Sequence, residues 1–127
     1  MNKILIIEDE VNTLNGLVEL LAMEGYSAKG TTNAQAAREL LQREKFDMIL
    51  CDYGLPDCDG FSLCREIHSE FENMKLFMFT AYSNIRQREV AQSCGITQLF
   101  HKPLDIDQLF LTLATHVNKR KSNILYQ

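Results

Sequence analysis

The chain has 127 residues, 46% hydrophobic and 24% charged, which suits one packed domain and excludes a largely disordered chain. A net charge of −4 argues against the clustered basic surface of a nucleic-acid-binding domain. No run approaches the ~20 apolar residues of a membrane span, and the opening MNKILIIEDE lacks the h-region of a signal peptide, so a cytoplasmic protein without membrane association is expected.

In chain order, Lys3–Ile7 (KILII) is a short continuous apolar run, the pattern of a strand buried on both faces. Glu8, Asp9 and Glu10 end it. Leu14, Leu17, Val18 and Leu21 then recur at helical spacing until Gly25, a helix stop. Tyr26–Thr31 is a weaker strand. Thr32 or Asn33 can cap a second helix with Ala36, Ala37, Leu40 and Leu41 on one face. Met48–Cys51 (MILC) is the third strand. Asp59 is expected to cap a third helix carrying Phe61, Leu63, Cys64 and Ile67, whereas Asp57 reads as a solvated loop acid. Lys75–Phe79 (KLFMF) is the fourth strand, and a polar helix over Ile85–Cys94 ends at Gly95. Gln98–His101 (QLFH) is the fifth strand, broken by Pro103. A last helix carries Ile106, Leu109, Phe110, Leu113, Ala114 and Val117 on one stripe.

Five strands alternating with five helices predict an α/β fold, a doubly wound parallel sheet with helices on both faces. The domain is expected over residues 1–120, with 121–127 a tail or linker stub. Cys51, Cys58, Cys64 and Cys94 form no CxxC pair and are expected to be reduced, Cys58 alone in a polar loop. The methionines read as core fillers, Leu20 and Leu111 as scattered exposed leucines, and His68, His101 and His116 as surface or partly packed residues.

Ligands of such sheets bind beyond the carboxyl ends of the strands, where strand order reverses. Glu8 and Asp9 follow strand one, Asp52 strand three, Thr80 strand four and Lys102 strand five. Two like charges at ~4 Å repel by about 4 kcal/mol at an effective dielectric of 20, so three clustered carboxylates call for a cation. An oxygen-only donor set suits Mg2+, with Mn2+ or Ca2+ as alternatives. Asp9 and Asp52 are the expected direct ligands and Glu8 one acting through water. A carboxylate, a divalent cation and a lysine together suit phosphoryl transfer, with the carboxylate as nucleophile. Thr80 has a hydroxyl to offer a phosphoryl oxygen, and the small Ala81 leaves the approach open.

The run DYGLPDCDG, with Asp52, Pro56 and Gly60, resembles the D-x-x-x-P-x-x-x-G motif of receiver domains in bacterial two-component systems. Glu8–Asp9 matches that family's acidic pair, Thr80–Ala81 its switch hydroxyl and small neighbour, and Lys102–Pro103 its lysine and proline, in order along nearly the whole chain. The resemblance implies flavodoxin-like strand order 2-1-3-4-5. It implies that Asp52 takes a phosphoryl group from a phosphohistidine on a histidine kinase or histidine phosphotransfer protein. Mg2+ would be held by Asp9, Asp52, the Gly54 carbonyl and waters, and the Lys102–Pro103 peptide would be cis. Phosphorylation would draw Thr80 inward and reshape the face of helix four, strand five and helix five, where dimerisation or an unknown output domain or target would engage. Partner docking would fall near Asn12, Thr13 and Gly16. The protein would catalyse only its own phosphorylation and dephosphorylation.

Two positions depart from the pattern. Glu8 replaces the commoner Asp, and Leu99 stands where many receivers carry a Tyr or Phe that rotates on activation; Phe100 should face the other side of its strand. An aspartyl phosphatase is disfavoured by Gly54, where a second acid would be needed. A flavin or nucleotide binder is disfavoured by the lack of a Gly-rich loop after strand one. The alternative kept is a receiver-like interaction module that is never phosphorylated.

Overall fold

A computed structural model describes residues 1–82 and 84–117. The order is β1 (Lys3–Ile7), α1 (Val11–Met23), β2 (Ser27–Thr31), α2 (Ala34–Arg43), β3 (Met48–Asp52), α3 (Gly60–Glu70), β4 (Lys75–Thr80), α4 (Ile85–Ser93), β5 (Gln98–His101) and α5 (Ile106–Thr115). All five strands pair in parallel, in the order β2-β1-β3-β4-β5, as expected. The 120/121 boundary and the tail 121–127 lie outside the described residues.

Side chains alternate across a strand, and here the alternation divides the core in two. Ile4, Ile6, Met48, Leu50, Phe77, Phe79 and Phe100 meet Leu14, Leu17 and Leu21 of α1 and Leu109 and Leu113 of α5. Leu5, Ile7, Ile49, Cys51, Leu76 and Met78 meet α2, α3 and α4 on the opposite face. The central strands β1, β3 and β4 are therefore apolar on both sides, which is why they read as unbroken runs.

Side-chain caps start each helix. Glu10 accepts from Asn12 N and Thr13 N, Asn33 from Ala36 N, Asp59 from Ser62 N, Asn84 from Gln87 N and Asp105 from Gln108 N. Gly25 and Gly95, at φ 95° and 82°, supply the left-handed turns that end α1 and α4.

Three expectations change. Tyr26 lies outside β2, its amide bonded to Leu21 O at 3.1 Å as part of the α1 terminus. Ala114 is exposed: at the margin of the α5 stripe, a single methyl does not reach the core. Met48 and Met78 are core residues, but Met1 and Met23 are 73% and 83% exposed, Met23 closing α1 beyond its last buried leucine. Asp57 is exposed, as expected of a loop acid, but backbone amides of α2 hold both of its oxygens. The cysteines are free, with Cys51, Cys64 and Cys94 buried and Cys58 half-buried.

Candidate phosphoryl-acceptor and metal site

β1 and β3 are neighbours with Ile7 opposite Cys51. One residue further along each strand stand Glu8 and Asp52. Both continue the even-numbered positions, which face α1 and α5. The register thus sets two carboxylates side by side where strand order reverses. Both are nearly inaccessible, at 2% and 5%, while Asp9 is exposed. Ligand oxygens of Glu8, Asp9 and Asp52 all lie within 4.8 Å of one another.

Lys102 enters from β5, whose end is fixed by Lys102 N donating to Thr80 O at 2.8 Å. Its Nζ donates to Asp52 Oδ2 at 3.1 Å and stands 3.9 Å from Glu8 Oε1. The ammonium also lies 5.1 Å from the centre of the Phe79 ring, a cation–π placement that shields one side of it. One lysine does not balance three acids. Burial, and then a hydrogen bond that the protonated Glu8 side chain makes with Asp52, raise the Glu8 pKa from 4.5 to about 7, partly offset by the Glu10 amide donating to Glu8 Oε2 at 3.2 Å. A divalent cation would replace that proton, and an all-oxygen donor set of three carboxylates fits Mg2+.

Asp52 Oδ1 accepts from Gly54 N at 3.2 Å, so Gly54 holds one carboxylate oxygen and Lys102 the other. The loop that follows is closed by Gly60 N donating to Tyr53 O at 2.8 Å and by a bridge between Gly54 and Asp59. A Cβ on Gly60 would stand 2.8 Å from Tyr53 Cα and 2.9 Å from Asp52 O. The motif glycine is therefore demanded by the backbone of Asp52 and Tyr53. Thr80 is 2% exposed, its Oγ1 accepting from Tyr82 N at 3.1 Å; Ala81 and Tyr82 are exposed. The Lys102–Pro103 peptide is cis, as the resemblance implied.

Glu8, Asp9, Asp52, Thr80 and Lys102 are thus brought to one sheet edge. Leu99 is not among them. It packs half-buried on the α2–α4 side, whereas Phe100 is buried on the α1–α5 side. The place of Phe79 beneath Lys102 and the bonds of Asp57 at the loop tip have no signal in the sequence, where one residue reads as core and the other as a loop acid. A groove of about 620 Å3 runs from the site along α1 to α5, lined by Asn12, Thr13, Gly16, Leu20, Leu104 and Ile106 among others. None of the described helices is long and apolar enough to cross a membrane.

The response regulator receiver domain family matches residues 4–114. The chain is 32% identical to the transcriptional regulatory protein ZraR of Klebsiella oxytoca, over 87% of this chain and 25% of that protein. It is 29% identical to sporulation initiation phosphotransferase F of Bacillus subtilis, over 84% and 86%. It spans about a quarter of the length of the first curated relatives it matches. Among solved structures, the response regulator TrrA of Thermotoga maritima, in complex with Mg2+ and BeF, superposes with a TM-score of 0.83 at 25% identity, covering 92% of this chain and 100% of that one. A CheY-like receiver domain protein of Methanospirillum hungatei does so with 0.86 at 25% identity, covering 91% and 92%. The strand order, the acidic cluster and these matches agree: the chain belongs to the response regulator receiver domain family.

Proposed function

We propose that Asp52 accepts a phosphoryl group from a phosphohistidine on a histidine kinase or histidine phosphotransfer protein, in a Mg2+-dependent reaction that alters the surface this domain offers to an output domain or target. The observation that carries the reading is the contact of Lys102 Nζ with the buried Asp52 carboxylate at 3.1 Å, opposite Glu8 and Asp9. In the transfer, a carboxylate oxygen of Asp52 attacks phosphorus in line. The P–N bond of the donor breaks and the electron pair leaves with the imidazole. Lys102 exchanges one carboxylate oxygen for a phosphoryl oxygen, and Thr80 turns its hydroxyl toward a second.

Asp9, Asp52 and the Gly54 carbonyl would hold Mg2+ (or Mn2+), with Glu8 acting through water; the ion's contribution is to neutralise charge on the carboxylates and the transferred group. The gain of about −1.5 to −2 charge then biases a two-state surface of α4, β5 and α5. With Leu99 in place of an aromatic, that surface responds through repacking of a leucine rather than rotation of a ring. The protein acts on no other substrate and catalyses only its own phosphorylation and dephosphorylation.

The test is intact mass after incubation with a small acyl-phosphate donor. One adduct is expected, requiring Mg2+ and absent from Asp52→Asn. No adduct under any condition would favour an interaction module that is never phosphorylated.

A further inference from the structure

We infer that Asp57 is a positioning residue of the phosphoryl-acceptor site, an inference that rests on the metal-dependent reading above: it straps the loop bearing Gly54 to the N-terminus of α2 and so sets the affinity for Mg2+. Asp57 Oδ1 accepts from Ala34 N at 2.8 Å and Oδ2 from Gln35 N at 3.0 Å. These are the first two amides of α2, which lack partners within the helix. Asn33 takes only the third, Ala36 N. A carboxylate is also the favoured charge at that end of a helix. The next residue is held too: Arg38 Nη2 donates to Cys58 Sγ at 3.7 Å, and Arg38 Nε donates to Glu66 at 2.7 Å. Two successive residues of the loop are thus fastened to α2, one of them through both carboxylate oxygens.

At its base the loop is held by Tyr53 N on Phe79 O at 3.0 Å and Gly60 N on Tyr53 O at 2.8 Å. Gly54 lies between base and tip. It is exposed, and a Cβ built on it would meet nothing within 4 Å. No side-chain packing places its backbone; its amide bond to Asp52 Oδ1 and the bridge to Asp59 do, and the strap to α2 holds the loop that carries them. Cutting the α2 attachment loosens the loop at its tip, and the added entropy lost when the cation binds weakens binding. Residues that orient metal ligands without touching the metal change affinity by about 10- to 100-fold when removed.

The experiment is a Mg2+ titration followed by the Gly54 amide resonance, paired with urea unfolding of the same proteins, for wild type, Asp57→Ala and Asp57→Asn. Asp57→Ala is expected to raise the Mg2+ Kd about tenfold, while Asp57→Asn, which keeps one of the two acceptor oxygens, loses less. An unchanged Kd in Asp57→Ala, with only the unfolding midpoint lowered, would make the strap purely structural and overturn the inference while leaving the reading of the site intact. A wild type that does not respond to Mg2+ would overturn the reading of the site and this inference with it.

Discussion

Glu8 and Asp52 share the end of a sheet where water scarcely reaches, and two full charges there are costly. Burial and the neighbouring carboxyl hold the Glu8 pKa near 7 rather than 4.5. An acid whose folded pKa lies above its unfolded one binds more protons folded than unfolded between the two values. Its contribution to stability therefore falls as pH rises from about 4.5 and the cost is complete above about 7. Glu8→Gln is expected to stabilise the metal-free domain at pH 8 by about 1–3 kcal/mol, with the gain shrinking toward pH 5 and on adding Mg2+, as urea unfolding would read. No gain at pH 8 would contradict the burial of a charge there. The sequence displayed Glu8 as an acid at a strand end, but not its burial, which is set by the side that the even positions of β1 face. Asp57 was illegible for a related reason. Its partners are amides of Ala34 and Gln35, and a main-chain donor leaves no trace in residue identity.

Strands and helices were legible because each carries one period. KILII and KLFMF are buried on both faces and show no alternation, and the α1 leucines repeat every three or four residues before Gly25. The misreadings sit where periodicity has weak purchase: Tyr26 at an element boundary, and Ala114, whose single methyl fits the α5 pattern without reaching the core. Between elements the chain is tighter than its composition suggests. The turn from β3 to α3 passes so close to itself that Gly60 has two backbone groups within 3 Å of where a Cβ would stand, Tyr53 Cα at 2.8 Å and Asp52 O at 2.9 Å. Gly60→Ala is expected to cost about 1–3 kcal/mol in urea unfolding and to displace Asp52. Gly54→Ala, with open space at its Cβ, is expected to stay within about 0.5 kcal/mol of wild type. Equal effects of the two would contradict the packing of this turn.

Across the molecule, positions from 8 to 102 meet because every strand runs in the same direction and delivers its carboxyl end to one edge. β1 lies between β2 and β3, so the chain reverses its order beside Glu8, Asp9 and Asp52, where a doubly wound sheet opens a crevice. That convergence could be foreseen from the charged or hydroxyl residue at the end of each of four strands. The fastening of its loop to α2 could not, because it depends on how the helix start and the loop tip meet in space. The central claim is that the convergence serves Asp52 as acceptor. It is tested most directly by treating the wild-type protein with an acyl-phosphate donor and Mg2+, reducing the adduct with hydride and locating the modified residue by peptide mass spectrometry. Modification at Asp52 alone is predicted; modification at Glu8, Asp9 or His101 with Asp52 intact would contradict it.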